Sequence, residues 1–152
     1  METYIKPFQE LTTDELYEIV KLRSAVFVVE QNCVYQDCDD KDQSACHIWI
    51  AEDEQIAAYL RVLPEDGEGV AVIGRVLAVK RRCGMGIRIL QEGIRFVREH
   101  TDASEIQIHA QTYARGLYEK QGFEQYGDEF LEDGIPHIPM RLILRKAQCT
   151  RR

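Results

Sequence analysis

Seven consecutive residues, Lys80-Arg-Arg-Cys-Gly-Met-Gly86, bring three cations and two glycines together immediately ahead of a helical pattern. The first-turn N–H groups of a helix have no internal partner and its dipole favours negative charge, while glycine lets a phosphate approach the backbone. These residue types point to a phosphate-bearing cofactor held at the start of a helix that begins near Gly84. A basic loop capping a helix in any α/β domain has the same appearance, and this motif alone does not separate the two. A second chemistry-bearing stretch is acidic: Asp37, Asp39, Asp40 and Asp42 fall within six residues. It reads either as a solvated loop or as an attractor for a cationic amine. Cys33, Cys38, Cys46 and His47 are separated by four, seven and zero residues, a spacing that fits no common zinc finger or ribbon, so no metal is expected.

The elements that must position these residues follow from periodicity. Val70 to Val79 is a nearly unbroken apolar run, as in a strand buried on both faces. Ile87, Leu90, Ile94 and Val97 then recur at helical spacing with charged residues between them. Upstream, Thr3 to Phe8 reads as a first strand, and Thr12 with Glu15 forms a capping box. Leu16, Ile19, Val20, Arg23 and Phe27 share one face of the helix that follows, with Arg23 its single polar member. That helix extends to about Glu30, with room for a break at the β-branched run Val26–Val29. After the irregular stretch Gln31–Cys46, strands are expected at His47–Asp53, Ile56–Leu63 and Val70–Val79. Beyond the central helix come a strand at Glu105–Ala110, a short helix at Tyr113–Gln121, a strand at Gly122–Tyr126, a turn at Leu131–Pro136 and a last strand at His137–Arg145. The order predicts an α/β fold: one domain over residues 1–152, a central mixed sheet with helices on both faces. A length of 152 residues suits one real core. The net charge of -7 argues against a general nucleic-acid or anionic-membrane surface, and no apolar stretch approaches a membrane span or a signal peptide. Five irregularly spaced cysteines fit reduced thiols, hence the cytoplasm.

Arg81-x-x-Gly84-x-Gly86 resembles the pyrophosphate loop of the GNAT superfamily of acyl-CoA-dependent N-acetyltransferases. The segment Gln111-Thr-Tyr-Ala114-Arg-Gly-Leu-Tyr118-Glu-Lys-Gln-Gly122-Phe123 is similar to the family's later motif, with Gln111 where asparagine is usual. Val26-Phe-Val-Val-Glu-Gln-Asn-Cys33-Val-Tyr35 and Phe130-Leu-Glu-Asp-Gly-Ile-Pro-His137 resemble the ElaA subgroup, so the likeness runs from about Phe8 to Leu144. The strand-to-loop connection is shorter than the family's, with Lys80 alone between Val79 and Arg81.

The resemblance implies a single GNAT fold, acetyl-CoA as cosubstrate and transfer of an acetyl group to a primary amine. It implies that Arg81, Arg82, Cys83, Gly84, Met85, Gly86 and Ile87 anchor the cofactor, with Gln111 near it. It also implies that the central strand splays from the Glu105–Ala110 strand. Pantetheine would then pair with the backbone of Leu77, Ala78 and Val79, one of whose N–H groups polarises the carbonyl. Tyr118 matches the family's tyrosine, and a phenol can protonate a departing thiolate. The central strand carries no carboxylate, so the general base is open among Glu30, His47, His109, His137 and a water chain. Glu30, Tyr35, His47 and His137 are expected beside the acceptor, which is a small-molecule or peptide amine, cationic if the acidic loop borders its cleft. A homodimer is left open. Two other readings stand beside this one. The first is an acyl-CoA-binding sensor of the same fold without turnover. The second is a dinucleotide oxidoreductase, weakened because no Gly-x-Gly-x-x-Gly follows an N-terminal strand.

Overall fold

The computed structural model describes residues 1–80 and 83–144. Strand β1 (Glu2–Pro7) leads into α1 (Thr13–Arg23). The capping box forms as expected: Glu15 N donates to Thr12 Oγ1 at 3.0 Å, and Thr12 N donates to Glu15 Oε1 at 2.9 Å. Lys6 on β1 holds the same glutamate at 2.9 Å, fixing the helix against the strand. Beyond Arg23 the chain stays helical but widens into a π-helical turn, Ser24–Glu30. This is where the β-branched run crowds an α-helix.

Strands β2 (Cys46–Glu52), β3 (Gln55–Leu63) and β4 (Val70–Ala78) form the antiparallel meander. Helix α2 (Met85–His100) crosses back to β5 (Glu105–Gln111), which lies parallel to β4. A short α3 (Arg115–Lys120), β6 (Glu124–Gln125), β7 (Phe130–Glu132) and β8 (Ile135–Ile143) complete the chain. The eight strands make one mixed sheet in the order β1-β2-β3-β4-β5-β8-β6, with β7 hydrogen-bonded to β8.

Alternation along the strands sorts the core into two layers. Ile48, Ile50, Leu60 and Ile73 face α2, whose Ile89, Leu90, Ile94 and Val97 are buried against them. Trp49, Tyr59 and Leu77 face the other way, onto Ile19 of α1. Gly93 lets α2 press close. A β-carbon there would sit 2.9 Å from a Leu60 methyl and 3.3 Å from Ile73.

Two expectations need correction. Leu131–Pro136 is more than a turn: Asp133 and Gly134, both at positive φ (53° and 79°), make a two-residue hairpin between β7 and β8. Asp-Gly is the preferred chemistry for such a hairpin because its twist matches the flanking strands. The strand expected at Gly122–Tyr126 shrinks to the pair Glu124–Gln125. The last residue of the final expected strand, Arg145, lies outside the described residues.

Candidate active site

Strands β4 and β5 pair only from Val70 to Val72, opposite Glu105 to Gln107. Past that point each strand continues without the other, which opens a V in the sheet. The cause lies in β4. Tyr59 pairs with Leu77 but Arg61 pairs with Gly74, so β4 carries one extra residue, a β-bulge, with Arg75 at φ 54°. A bulge bends its strand and increases twist, and here it turns β4 away from β5.

The opening is a cleft of about 870 Å³. Ile73 to Ala78 line one wall, and Gln107 to His109 with Gln111 line the other. Tyr118 and Leu117 of α3 also line it, as do Gln31, Tyr35, Glu132, Asp133 and His137. Lys80 and Gly86 carry the cleft to the start of α2. There Gly84 caps the helix at φ 81° with no side-chain hydrogen bond, and the first backward bond is Arg88 N to Gly84 O at 3.1 Å. The N–H groups of Met85, Gly86 and Ile87 therefore lack intrahelical partners. A left-handed cap is a conformation that side chains with a β-carbon resist, which accounts for Gly84. Cys83 is exposed, and its thiol donates to Lys80 O at 3.2 Å. Arg81 and Arg82, both expected at the cofactor, lie outside the described residues.

The backbone of β4 narrows the expectation for Leu77–Val79. Val79 N donates to Ala57 O at 2.9 Å, and Leu77 pairs with Tyr59. Residues directly opposite in an antiparallel pair alternate between hydrogen-bonded and non-bonded positions. The backbone of Ala78, between those two, therefore faces the open edge. Val79 and its amide belong to the β3 side.

Tyr118 is buried, with its ring edge-on to Phe123 at 5.9 Å. Burial raises its phenol pKa, with the Tyr113 charge adding to the shift, so it stays protonated through neutral pH. Gln111 exchanges long side-chain hydrogen bonds of 3.3 Å with Gln31. Tyr35 donates to Asp37 Oδ1 at 3.1 Å. Burial pushes its phenol up to about 12, against the pull of Arg75. His137 is buried on the cleft wall with Nδ1 2.7 Å from Ile135 O. His109, on β5 itself, has Nδ1 2.9 Å from Glu132 Oε1 and its ring edge-on to Phe130 at 5.0 Å.

Two expected acceptor residues are elsewhere. His47 is fully buried, with Nδ1 2.7 Å from Tyr59 Oη and Nε2 3.0 Å from Asp42 O. Both ring nitrogens are engaged, one tying β2 to β3 and the other tying β2 to the carbonyl of Asp42 in the acidic loop. Burial lowers its pKa, partly offset by the carbonyl and charge of Asp42. Glu30 is exposed at the end of the π-helical turn and is not among the described residues that line the cleft.

The acidic loop is neither solvated nor a negative rim. Arg23 of α1 donates to Asp37 Oδ2 at 2.9 Å and to Asp42 Oδ1 at 2.7 Å. Arg61 of β3 holds Asp39 at 2.6 Å and Asp42 at 2.8 Å. Arg75, at the bulge, donates to Asp37 Oδ1 at 2.8 Å and to Asp37 O at 2.9 Å. Three carboxylates thus meet three guanidinium groups, and only Asp40 of the four aspartates stays exposed outside the network. Burial pushes the carboxyls of Asp39 and Asp42 upward, but the arginine hydrogen bonds outweigh it and hold both below the usual range. The sequence did carry a signal for these partners. Each arginine is a lone charge in an otherwise apolar helix face or strand, and a buried charge requires a partner.

A mixed sheet opened at a bulged strand, with a glycine-capped helix start lining the opening, is the acyl-CoA N-acyltransferase architecture. A crystal structure of an acyl-CoA N-acyltransferase from Pseudomonas aeruginosa superposes with a TM-score of 0.87 at 34% identity, covering 93% of this chain and 99% of that one. The sequence profile of the acetyltransferase (GNAT) domain matches residues 11–144, and the chain belongs to that family. Within it the chain is ElaA-like. Escherichia coli ElaA is 35% identical over 136 residues, 86% of this chain and 89% of ElaA, and the ElaA crystal structure superposes with a TM-score of 0.87. A UPF0039 protein of Schizosaccharomyces pombe is 36% identical over 148 residues, covering 95% of this chain and 98% of its own.

Proposed function

We propose that this protein transfers an acetyl group from acetyl-CoA to a primary amine by direct attack. The observation that carries the reading is one cleft lined both by the open edge of β4 and by Gly86 in the first turn of α2. The residues present fit the cosubstrate. Free N–H groups of a helix first turn, reached past glycines, suit a pyrophosphate. An unpaired strand edge suits the amides of a pantetheine arm. Acetyl-CoA supplies the activated thioester carbonyl.

The chain's own groups then have distinct tasks. The Ala78 backbone holds the pantetheine arm, and the N–H two residues earlier, at Val76 beside the bulge, polarises the carbonyl. The Tyr118 phenol, kept protonated by burial, delivers its proton to the departing sulfur. The walls orient the amine and exclude water. With the aspartate loop neutralised, Asp133 at the cleft offers a carboxylate to a cationic acceptor. Cys33, Cys38, Cys46 and Cys83 are free thiols, which supports a reducing compartment such as the cytoplasm.

The engagement of Gln111 by Gln31 favours a second reading, an acyl-CoA sensor without turnover, because it draws that amide away from a bound cofactor. One experiment separates them. The protein is titrated with acetyl-CoA by calorimetry and then assayed for thiol release across a panel of amines. Binding with amine-dependent thiol release supports the transferase. Binding with no release for any amine supports the sensor, and absence of binding refutes both.

A further inference from the structure

We propose that His109 is the general base of the transfer and that Glu132 is the residue that positions it. The inference rests on the transferase reading above and assigns the step that reading leaves without a residue.

His109 stands two residues beyond Gln107, the last residue of β5 that pairs with β4. It is therefore on the stretch of β5 that runs along the opening, and its side chain lines the cleft. Both it and Tyr118 line the same cleft. Its position is fixed twice: Nδ1 lies 2.9 Å from Glu132 Oε1, and the ring sits edge-on to Phe130 at 5.0 Å. A carboxylate only accepts, so in the neutral ring Nδ1 carries the hydrogen and Nε2 the lone pair. A carboxylate–imidazole pair of this kind sets the tautomer of a base. The two other histidines expected near the acceptor fit less well. His47 has both nitrogens engaged. His137 lies one strand farther from the opening, on β8, opposite Gln111.

The balance of the step is simple. The amine nitrogen forms a bond to the acetyl carbon as the carbon–sulfur bond breaks. Nε2 of His109 takes the proton the nitrogen loses, and the sulfur receives one from Tyr118. Solvent exchange afterwards resets both groups, so the net products are the amide and the free thiol.

His109 and Glu132 are both substantially exposed, with side chains 54% and 42% accessible, so substitution there leaves the core intact. His109→Gln is expected to lower thiol release with the best amine about 10²- to 10⁴-fold, with the acetyl-CoA dissociation constant unchanged. Glu132→Gln is expected to lower kcat more than it raises the amine KM. Nitrogen-15 NMR of the unliganded protein supplies a readout independent of turnover. The wild type should show His109 as the Nδ1–H tautomer, and Glu132→Gln should lose that preference. Thiol release by His109→Gln within twofold of wild type overturns the proposal, as does an Nε2–H tautomer in the wild type. If the wild type itself turns over no amine, the transferase reading fails and the catalytic role falls with it, while the tautomer measurement still reports whether Glu132 orients the ring.

Discussion

Replacing Asp37 by asparagine tests whether the aspartate loop is scaffold or substrate attractor. The carboxylate of Asp37 is 5% accessible and takes Arg23 Nε at 2.9 Å and Arg75 Nε at 2.8 Å. Arg23 is fully buried, and its remaining carboxylate partner is Asp42. Removing this charge leaves three guanidinium groups to two carboxylates, with Arg23 paired with Asp42 alone, and costs up to about 3–5 kcal/mol, the figure for breaking a buried pair. For a chain of this size each kcal/mol moves the melting temperature by about 2–4 °C, so a fall of up to about 6–20 °C is expected. Activity should fall with it, because the same carboxylate holds Arg75 at a positive φ on the bulge that opens the cleft. Asp40→Asn, outside the network, should leave both stability and kinetics near wild type. The assay pairs a thermal melt with thiol-release kinetics at low ionic strength. A raised amine KM with an unchanged melting temperature would refute the scaffold argument and restore the loop as an electrostatic attractor.

Three further outcomes are expected. Tyr118→Phe should reduce kcat at least tenfold while leaving acetyl-CoA affinity within about twofold, since the phenol acts on the leaving group; a loss confined to affinity would mean that the ring only packs. Gly84→Val places a β-branched residue at φ 81°, a strain of about 1–2 kcal/mol, and should weaken acetyl-CoA binding at least tenfold by calorimetry; unchanged affinity would remove the pyrophosphate from this helix start. His47 is held neutral in the fold, its pKa lowered by burial, whereas the unfolded chain binds a proton below about pH 6.5. The unfolded state therefore holds more protons in the window between its pKa and the lower folded one, and stability declines as pH falls through it, by about 1.4 kcal/mol per unit of lowering. The melting temperature should drop between pH 7 and 5 in the wild type and less so in His47→Gln, and a flat wild-type profile contradicts the assignment.

Periodicity and local chemistry alone determined much of this molecule. The capping box at Thr12, the apolar run of β4, the amphipathic stripe of α2 and the glycine at its cap are legible because each is a contact between near neighbours, at spacings of two, three or four residues. Resemblance to known motifs, rather than local contacts, singled out the loop before α2 and the segment around Tyr118, and Gly86 and Tyr118 both line the cleft. What the tertiary structure alone decided depends on partners far apart in the chain. Arg23, Arg61 and Arg75 come from a helix and two strands to neutralise Asp37, Asp39 and Asp42, and no local pattern records that pairing. The same holds for Val79, whose amide is assigned to Ala57 by strand register. It holds too for His109, which meets Glu132 only because the Asp133-Gly134 hairpin folds β7 over β8. Register and bulge position arise from the balance of side-chain packing across the whole sheet, so the face a given histidine or amide presents is settled only when every strand is in place.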